Sequence, residues 1–572
     1  MQKKWEIKEA GKPEIVDQLS SELKISPILS NLLAQRGITN YDEAKRFFRP
    51  SLKQLHDPFL MKDMEAAIDR LDQAFVKKEK ILIYGDYDVD GTTAISVIYL
   101  FLTKYYMNID FYIPDRYHEG YGISIKGVNF AKENDFTLVI ALDCGIKAVE
   151  QVKYANEQGI DFIICDHHQP GDQIPPAVAV LDPKRTDCQY PYKELSGCGV
   201  GFKFLQAFCM RNNLDMDELF ELIDLVAVSI ASDIVPLTGE NRVLAFEGLR
   251  KLNTNPVKGL QAIIKVSGIE GKEILINDIV FKIGPRINAA GRMESAKKAV
   301  DLLISRDESI AWEMSECIDK DNDDRKNFDR QITIEALEAI STNEELINKK
   351  TTVLFNPEWH KGVIGIVASR LTETYYRPTV ILTESNGYAT GSARSVEGYD
   401  LYAAVESCSD LLVNFGGHMY AAGLTMEIAN VPAFTERFEK IVSETIDPEL
   451  LIPKITIDAV LSLDDINFRF YRILKQFQPF GPENMTPIFA ALGVKDIGHG
   501  RIVGKNNEHL MMVVSEEENI STFHSIAYKM AHHYPVISDE KTFDICFSIE
   551  ENNYKGNTSL QLRIRDIKER EE

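Results

Sequence analysis

The sequence predicts an α/β protein in which a parallel-sheet domain is joined by a long helix to a smaller α/β domain and is followed by a C-terminal β-barrel. Three observations predict this architecture. Buried strands alternate with helices from Lys80 onward, a long charged helical run begins near residue 305, and short alternating strands fill the chain after Pro453. At 572 residues the chain is too long for one hydrophobic core, so several domains are expected.

The acidic composition limits how this protein can hold a partner. Lysine and arginine number 64 against 87 aspartates and glutamates, which gives a formal net charge of −23. A nucleic acid would therefore have to be held in a local basic groove or through metal ions. The eight cysteines are scattered singly, and no stretch reads as a signal peptide or membrane span. We expect a cytoplasmic protein with free thiols and no membrane partner.

The chain divides into five predicted segments. The first is predicted to be a helical packing extension, in which Ser26 caps a helix that Pro27 opens and Gly37 ends. The segments are a helical extension (1–75), a catalytic α/β domain (76–304), a linker helix (305–347), a second α/β domain (348–450) and a small barrel (453–572).

Three aspartates follow the first buried strand of the catalytic domain. The strand Ile81–Tyr84 runs into Asp86, Asp88 and Asp90, and Gly91 closes the sequence. In a parallel sheet, ligands bind outside the carboxyl ends of the strands. Like charges this close repel unless cations or protons neutralise them. Metal binding and a solvated Asp-Gly turn are both open on this stretch alone.

Further segments deliver compatible side chains. One strand ends at Asp143, another at Asp166, His167 and His168, and an apolar helix ends at Asp233, where a helix cap is the alternative role. Carboxylates and imidazoles without thiolates suit Mg²⁺ or Mn²⁺, and histidine favours manganese. Two such cations about 3.5 to 4 Å apart would activate water and stabilise an in-line displacement at phosphorus. The sequence therefore predicts phosphoester hydrolysis.

Three glycine-rich phrases predict phosphate binding. FKIGPRINAAGRM (281–293) reads as a turn that carries Arg286, Asn288 and Arg292, while GSARS (391–395) and GGH (416–418) are predicted outside the regular elements. Glycine permits close approach of backbone N–H groups to a phosphate. Arg394 and His418 would add charge-assisted hydrogen bonds. Ordinary tight turns explain the glycines of GSARS and GGH equally when each of these two phrases is taken singly.

The last two predicted elements are a helix and a barrel. The run from 305 to 347 is polar on most faces, which is typical of a solvent-bridging helix between domains. After Pro453, about five or six short strands and one internal helix indicate a β-barrel of the OB type.

Taken together, the motifs resemble those of a known family. GDYDVDG, the strand-borne Asp143, the DHH triplet at 166–168 and Asp233 are similar to the four motifs of the DHH phosphoesterase superfamily. GSARS and FGGHMYAAG resemble its companion DHHA1 domain, and GPRINAAGR, WHKGVIGIVASR and the barrel narrow the resemblance to the bacterial RecJ family of single-stranded-DNA exonucleases. The resemblance implies a DHH domain at 76–304, a DHHA1 domain at 348–450 and an OB-like nucleic-acid-binding domain at 453–572.

This resemblance implies an activity and a metal site. It implies a 5′-to-3′ exonuclease that releases mononucleotides from single-stranded DNA in recombination and repair, with two divalent cations, Mn²⁺ or Mg²⁺. Asp143 would bridge the metals, and Asp88 or Asp90, His167 and Asp233 would complete one site. Many superfamily members carry a histidine where this chain has Tyr84, so Asp86 would be the replacement ligand. His168 would stabilise the transition state or shuttle a proton, and Asp166 would orient the pair.

The resemblance also implies partners. Single-stranded DNA would be the substrate, with a single-strand-binding protein and a helicase as protein partners of a monomeric enzyme. The residues that would contact the DNA backbone are Arg116, Arg286, Asn288, Arg292, His360, Ser392, Arg394, Gly416, Gly417 and His418.

Two alternative functions remain. One is a DHH phosphodiesterase of short RNA or cyclic dinucleotides, whose members are generally smaller and lack the barrel. The other is a catalytically inactive replication scaffold, in which metal ligands are lost, whereas here Tyr84 is the only departure from the motifs.

Overall fold

The computed structural model describes residues 3–516, 521–538 and 541–570, and their contacts group the chain into two units. One unit combines Met1–His56, Ile234–Glu247 and Lys454–Glu572, and the other combines Asp57–Asp233 and Gly248–Pro453. Distant parts of the sequence therefore fold together. Among the described residues, no helix is both long and apolar enough to cross a bilayer.

The N-terminal segment contains a strand as well as the predicted helices. Its elements are β1 (Lys4–Ile7), α1 (Pro13–Leu23), α2 (Pro27–Ala34) and α3 (Tyr41–Phe48). The Ser26 hydroxyl accepts the Leu29 N–H at 3.4 Å and Pro27 opens α2, as predicted. Strand β1 was not predicted, because it is stabilised by parallel pairing with Lys454–Ile457, more than 400 residues away in the sequence.

A five-stranded sheet organises the first α/β domain. Its elements are α4 (Met64–Lys77), β2 (Lys80–Gly85), α5 (Val89–Leu102), β3 (Ile109–Tyr112), α6 (Ile125–Glu133), β4 (Phe136–Leu142), α7 (Val149–Glu157), β5 (Asp161–Cys165) and β6 (Ala179–Leu181). The strand order is β3-β2-β4-β5-β6, and every pair is parallel. The predicted parallel sheet is confirmed, and it brings the ends of β2, β4 and β5 to one edge.

Helices follow this sheet in the chain, with the helix Gly239–Leu252 divided between the two units at Glu247, and one of the helices corrects a prediction. They are α8 (Gly197–Asn212), α9 (Met216–Phe220), α10 (Ile223–Ser232), α11 (Gly239–Leu252), α12 (Lys258–Val266), α13 (Ile276–Asp278), α14 (Gly284–Met293) and α15 (Lys297–Leu303), with a π-helical turn at Ile279–Ile283. The predicted turn at 281–293 is wrong. Its glycines serve helix packing, since a Cβ on Gly284 would lie 2.8 Å from the Ser232 Oγ and one on Gly291 would lie 3.0 Å from the Tyr87 carbonyl oxygen.

The linker is the 34-residue helix α16 (Glu308–Ser341), followed by α17 (Glu344–Asn348). A long joining helix that is polar on most faces was predicted correctly, and the remaining face is buried. Its buried stripe comprises Ala311, Ser315, Ile318, Asn322, Asp329, Ile332, Ala336 and Ile340. Because this stripe includes the polar residues Ser315, Asn322 and Asp329, the helical repeat of apolar residues is difficult to recognise in the sequence.

The second α/β domain holds two of the glycine-rich phrases within strands. Its elements are β7 (Thr352–Phe355), α18 (Ile364–Tyr375), β8 (Thr379–Ser385), β9 (Tyr388–Arg394), α19 (Leu401–Glu406), β10 (Asn414–His418), β11 (Ala421–Glu427) and α20 (Val431–Thr445). The strand order is β10-β11-β9-β8-β7, with only β7 and β8 parallel. The prediction that GSARS and GGH lie outside regular elements is wrong, because Gly416, Gly423 and Ser392 pair across three strands.

The C-terminal strands close into a ring. The elements are β12 (Lys454–Ile457), β13 (Ala459–Val460), α21 (Phe468–Lys475), β14 (Phe489–Asp496), β15 (Arg501–Val503), β16 (His509–Glu516), β17 (Thr522–Ala527), α22 (Tyr534–Ser538), β18 (Phe543–Tyr554) and β19 (Asn557–Glu569). Strands β14, β18, β19, β17 and β16 pair in that order, and β16 pairs back to β14. The predicted OB-like barrel is confirmed.

Candidate metal centre and phosphate-binding residues

The predicted acidic and histidine residues meet at one edge of the first sheet. Gly85 is in register with Leu142 and Leu142 with Cys165, so the residues that follow these three positions emerge side by side. Asp143 leaves its strand in a left-handed conformation with φ of 57°. Asp233 is the C-terminal cap residue of α10, which packs on α5. The sheet and this helix therefore bring four separate sequence segments together.

His167 lies at the centre of the carboxylate cluster. Its Nε2 atom is 3.2 Å from Asp143 Oδ1, 3.5 Å from Asp233 Oδ2 and 3.8 Å from Asp90 Oδ2. Two groups of possible ligands share this histidine: Asp143, His167 and His168 form one, and Asp90, His167 and Asp233 form the other. In each group the ligand atoms lie within 4.8 Å of one another, which is compatible with coordination of a cation.

The electrostatics of the cluster fit divalent cations. Burial and the charge of Asp90 raise the pKa of Asp143 well above its usual range. Burial, with Asp90 and Asp88 close by, raises the pKa of Asp233 to about 8. Burial lowers the pKa of His167 to about 3, which keeps its imidazole neutral as a metal ligand requires. Among the residues that the structure describes, the buried His167 Nε2 has no hydrogen-bond partner. A divalent cation beside His167 would neutralise the repulsion among these carboxylates and accept the lone pair of the His167 Nε2 atom.

Asp90 is oriented by groups that the sequence reasoning missed. Its Oδ2 accepts the Gly197 N–H at 2.7 Å, and its Oδ1 accepts the Cys198 N–H at 2.8 Å and the Ser229 hydroxyl at 2.7 Å. The two amides belong to the first turn of α8, whose dipole favours a carboxylate there. Burial and the charge of Asp88 nevertheless raise the pKa of Asp90 to about 6. The signal in the sequence was the glycine-rich helix start LSGCG.

Gly197 also touches the second ligand. A Cβ at this position would lie 2.6 Å from the Asp143 Cβ and 2.7 Å from its Oδ1. Only glycine allows the start of α8 to approach the carboxylate this closely.

Asp166 and His168 form a pair beside the metal ligands. Asp166 Oδ1 lies 2.7 Å from His168 Nδ1, and Oδ2 accepts the Ile146 N–H at 2.8 Å. Burial is the largest single influence and raises the pKa of Asp166, but the hydrogen bond and charge of His168, the charge of His167 and the Ile146 N–H together outweigh burial and lower the pKa to about 2. Burial alone would lower the pKa of His168, but Asp166 and the other carboxylates raise it to about 9. The Tyr121 hydroxyl, which the sequence reasoning also missed, lies 3.1 Å from His168 Nε2.

The first motif contributes less directly. Asp88 Oδ1 accepts the Gly91 N–H at 3.0 Å and caps α5. Neither Asp88 nor Asp86 belongs to the two groups of possible metal ligands found among the described residues. Asp86 is fully buried, and within the described part of the chain its Oδ2 has no hydrogen-bond partner. Burial and the charge of Asp88 raise the pKa of Asp86 well above its usual range. Tyr84 donates its hydroxyl to the Gly122 carbonyl oxygen at 3.0 Å and is a core residue.

A further buried carboxylate follows β6. Asp182 is fully buried, and its Oδ1 accepts the Lys184 N–H at 2.7 Å. Burial raises its pKa to about 7, with the charge of Asp166 adding to the effect. The sequence reasoning missed Asp182 because a single Asp-Pro pair reads as a turn.

Several predicted phosphate contacts gather around the start of α18. Arg292 Nη1 donates to the Gly362 carbonyl oxygen at 3.1 Å, and the Tyr117 hydroxyl donates to the Arg292 carbonyl oxygen at 2.5 Å. Arg394 Nη2 lies 3.1 Å from where a Cβ on Gly365 would be. Arg116 lies over the Tyr87 ring, 4.3 Å from its centroid. Burial, followed by the charges of Arg116 and Arg325, lowers the pKa of Arg292 to about 9.

Other predicted contacts are placed differently. Arg286 is buried and its Nε donates to Asp319 at 2.7 Å, so its charge already has a partner. Asn288 is half-buried on α14, and the His360 ring stacks on Phe328 with centroids 5.0 Å apart. Ser392 Oγ accepts Arg394 Nη1 at 2.8 Å. Gly416, Gly417 and His418 are exposed on the edge strand β10, where nothing lies within 4 Å of a Cβ added to Gly416.

Comparison with known proteins identifies the three parts of the chain. Family models match at residues 80–230 (DHH family, N-terminal domain), 348–444 (DHHA1 domain) and 457–566 (RecJ OB domain). The chain is 36% identical over 568 residues to the single-stranded-DNA-specific exonuclease RecJ of Bacillus subtilis (strain 168), covering 98% of this chain and 70% of that protein. It is 30% identical over 575 residues to the protein of the same name from Escherichia coli (strain K12), covering 97% and 98%.

A solved structure agrees with these matches. The crystal structure of RecJ from Thermus thermophilus in complex with Mn²⁺ superposes with a TM-score of 0.85 and 26% sequence identity, covering 100% of this chain and 80% of that one. Domain content, sequence identity along nearly the full length and fold therefore agree, and the chain belongs to the RecJ family of DHH-domain proteins.

Proposed function

We propose that this protein is a single-stranded-DNA-specific exonuclease that hydrolyses phosphodiester bonds from the 5′ end and releases 5′-mononucleotides, with two divalent cations, Mn²⁺ or Mg²⁺. The relatives named above are single-stranded-DNA-specific exonucleases, and the solved relative binds Mn²⁺. The role extends to DNA recombination and repair.

One observation carries the proposal: two groups of three possible ligands share His167. Asp90, Asp143, His167 and Asp233 would hold the cations, with Asp88 and Asp86 as further ligands from the first motif. When bound, two such cations supply Lewis-acid activation of water and neutralise charge that develops on the phosphate. Gly197, Cys198 and Ser229 hold Asp90 in place through hydrogen bonds of 2.7 to 2.8 Å. Such outer hydrogen bonds fix ligand orientation.

His168 is the proposed proton-handling group. Asp166 accepts a hydrogen bond from the Nδ1–H of His168, which would leave Nε2 free to act in the site, with the Tyr121 hydroxyl 3.1 Å from Nε2. The side chain of His168 is 43% exposed, so a phosphate can reach it. As an imidazolium, His168 would donate to a phosphate oxygen or to the leaving 3′ oxygen. Asp166 would preserve this protonation state and orientation.

The arginines around α18 are the proposed contacts to the DNA backbone. Arg116, Arg292 and Arg394 make no ion pair with any described carboxylate, although the whole chain carries a net charge of −23. Phosphates would supply the missing anions, and guanidinium groups bind them in bidentate fashion. The remaining proposed contacts to the DNA backbone are Asn288, His360, Ser392, Gly416, Gly417 and His418. Arg286 also belongs to the proposed set, although its guanidinium is paired with Asp319.

Each segment predicted from the sequence has its own proposed role. The DHH domain (76–304) would perform hydrolysis, the linker helix (305–347) and the DHHA1 domain (348–450) would hold the strand, and the OB-like domain (453–572) would bind DNA, with 1–75 as a packing extension. We further propose a cytoplasmic monomer that works with a single-strand-binding protein and a helicase.

Neither alternative function gains support. The OB-like barrel is present, whereas it is generally absent from phosphodiesterases of short RNA or cyclic dinucleotides. A catalytically inactive scaffold would lose its metal ligands, whereas the acidic and histidine residues of all four motifs are present here.

Digestion of end-labelled DNA tests the proposal. Single-stranded and duplex oligonucleotides, labelled at the 5′ or the 3′ end, are incubated with the full chain and Mn²⁺. We expect the 5′ label to leave first as a mononucleotide, from single strands only. Absence of digestion, or undiminished digestion by Asp143→Ala, would overturn the proposal.

A further inference from the structure

Among the described residues, two hydrogen-bond donors on the linker helix α16 have no acceptor. Arg325 Nη2 donates to Asn322 Oδ1 at 3.0 Å, which joins the two side chains. The Asn322 side chain is fully buried, and neither its Nδ2 nor the buried Arg325 Nε has a hydrogen-bond partner in the part of the chain that the structure describes. Buried donors are almost always paired, so this pair indicates a missing acceptor.

The nearby carboxylates do not supply that acceptor. Asp329, one turn further along α16, is paired with Arg370 at 2.7 Å. Asp319, on the preceding turn, is paired with Arg286 at 2.7 Å. Each of these arginines therefore has its own carboxylate, while Arg325 forms no ion pair with a described residue. The charge of Asp329 acts on Arg325, but no described carboxylate forms an ion pair with it, so its guanidinium is available to an anion from outside the protein.

The position of the pair favours the same substrate as the main site. Helix α16 packs against both α14 and α18, and α14 carries Arg292, whose Nη1 binds the Gly362 carbonyl oxygen just before α18. Phe328, on the next turn of α16, stacks on His360. The charge of Arg325 is also close enough to contribute to the lowered pKa of Arg292. The linker helix thus places the half-buried guanidinium of Arg325 beside the proposed backbone contacts.

We propose that Asn322 and Arg325 form an additional phosphate-binding site, in which the linker helix itself holds one phosphodiester group of the single strand. This inference rests on the proposed function and extends it to a helix whose sequence indicates only a connector. Arg325, which is half-buried, would bind the phosphate oxygens through its guanidinium, and the fully buried Asn322 would orient Arg325 through the 3.0 Å hydrogen bond between them. The chemical group recognised is a non-bridging phosphate oxygen, independent of the base.

The salt dependence of turnover tests this site. We compare Arg325→Gln with Arg330→Gln in the Mn²⁺-loaded full chain, because Arg330 is exposed on the same helix and its replacement removes the same charge. For wild type, log(kcat/KM) on single-stranded DNA falls as log[KCl] rises. Loss of one phosphate contact should reduce that slope by about 0.7, since each contact to a single strand contributes about that amount. We expect this reduction, carried by KM with kcat nearly unchanged, for Arg325→Gln only.

A chemical substitution in the DNA locates the contact. Competitor oligonucleotides that carry one neutral methylphosphonate, moved stepwise from the 5′ end, are compared with the unmodified strand. At the position bound by Arg325, the methylphosphonate should weaken competition for wild type and for Arg330→Gln but have no further effect on Arg325→Gln. A purely structural role for Arg325 would not single out one phosphate.

Three outcomes are decisive. A reduced slope together with one such position supports the site. Equal slopes for the two variants, or the absence of any position that distinguishes them, overturn it. Because wild type must digest single strands in the same assay, failure of the proposed exonuclease function is recognised separately, as lack of turnover by wild type.

Discussion

His167 Nε2 lies 3.2 Å from Asp143 Oδ1, and both side chains are buried at the carboxyl edge of the parallel sheet. The imidazole is neutral, because burial lowers its pKa to about 3, while burial and Asp90 raise the pKa of Asp143. The pair is therefore not stabilised as a salt bridge. Its arrangement fits two ligands that face a common cation.

Removal of the Asp143 carboxylate should separate activity from stability. We expect Asp143→Ala to lose more than about 1000-fold in kcat, because a ligand to the reacting centre is lost. In EDTA the same variant should unfold at a higher urea concentration than wild type, because a buried carboxyl in a repulsive cluster is removed. The matched control is Asp110→Ala, on the exposed side of β3. Lower stability of Asp143→Ala in EDTA would contradict the repulsion argument.

Metal-free stability should fall as pH rises from about 6.5 to about 8, the window between the usual histidine pKa and the raised pKa of Asp233. The folded pKa of Asp233 is about 8, above its value in the unfolded chain, so the folded state holds more protons in this window and deprotonation destabilises it. Deprotonation of His168, whose folded pKa is raised to about 9, also lowers the stability of the folded state as pH rises through this window. His167, whose folded pKa is lowered to about 3, changes the stability only below its unfolded pKa of about 6.5. The measurement is urea unfolding in EDTA at both pH values.

Mg²⁺ should reverse this trend. Binding must displace protons from the carboxyl groups, so the stabilisation that Mg²⁺ gives should grow with pH across the same window. Titration calorimetry in buffers of different ionisation enthalpy would count the released protons. Asp233→Asn should flatten the pH dependence in EDTA. A metal-free stability that rises with pH would contradict the pKa directions of this cluster.

His168 and Asp166 should affect turnover more than metal binding. Loss of a proton-transfer group typically costs about 100- to 10,000-fold, so we expect His168→Gln to lower kcat within that range. Asp166→Asn should lower kcat about 10- to 100-fold by releasing the orientation of His168. Metal affinity, measured by calorimetry, should change little in His168→Gln. A large loss of Mn²⁺ affinity in that variant would instead identify His168 as a ligand.

Gly197 should be essential to the geometry of the metal centre. The added methyl group of Gly197→Ala would lie 2.6 Å from the Asp143 Cβ, so either α8 or the carboxylate must move. We expect about 10- to 100-fold weaker Mn²⁺ binding and a loss of about 1 to 3 kcal/mol in the free energy of unfolding. Gly201→Ala on the same helix is the control, because its methyl group would meet only flexible side chains, the nearest being Leu142 at 3.2 Å. Equal metal affinity in the two variants would contradict the prediction.

The sequence predicted those elements whose signal is local. Apolar strands ending in Asp143 and Asp166 predicted the parallel sheet and its functional edge. This prediction succeeded because apolar strands and the helices that alternate with them can be recognised from residues that are neighbours in the sequence. The charged run predicted the long helix α16. The predictions failed where packing overrides local composition, since Gly284 and Gly291 serve helix contacts rather than a turn, and Gly416 lies in a strand.

The sequence by itself determined the fold class, the set of ligand types and the family resemblance, because each depends on residue type and order along the chain. Only the tertiary structure decided which atoms meet. It placed His167 in both ligand groups, enclosed Asp90 between α8 and Ser229, paired Arg286 with Asp319, and left the Arg325 Nε atom without a hydrogen-bond partner among the residues described. These are contacts between residues far apart in the chain, and their distances follow from how sheets and helices pack, which a linear pattern does not encode.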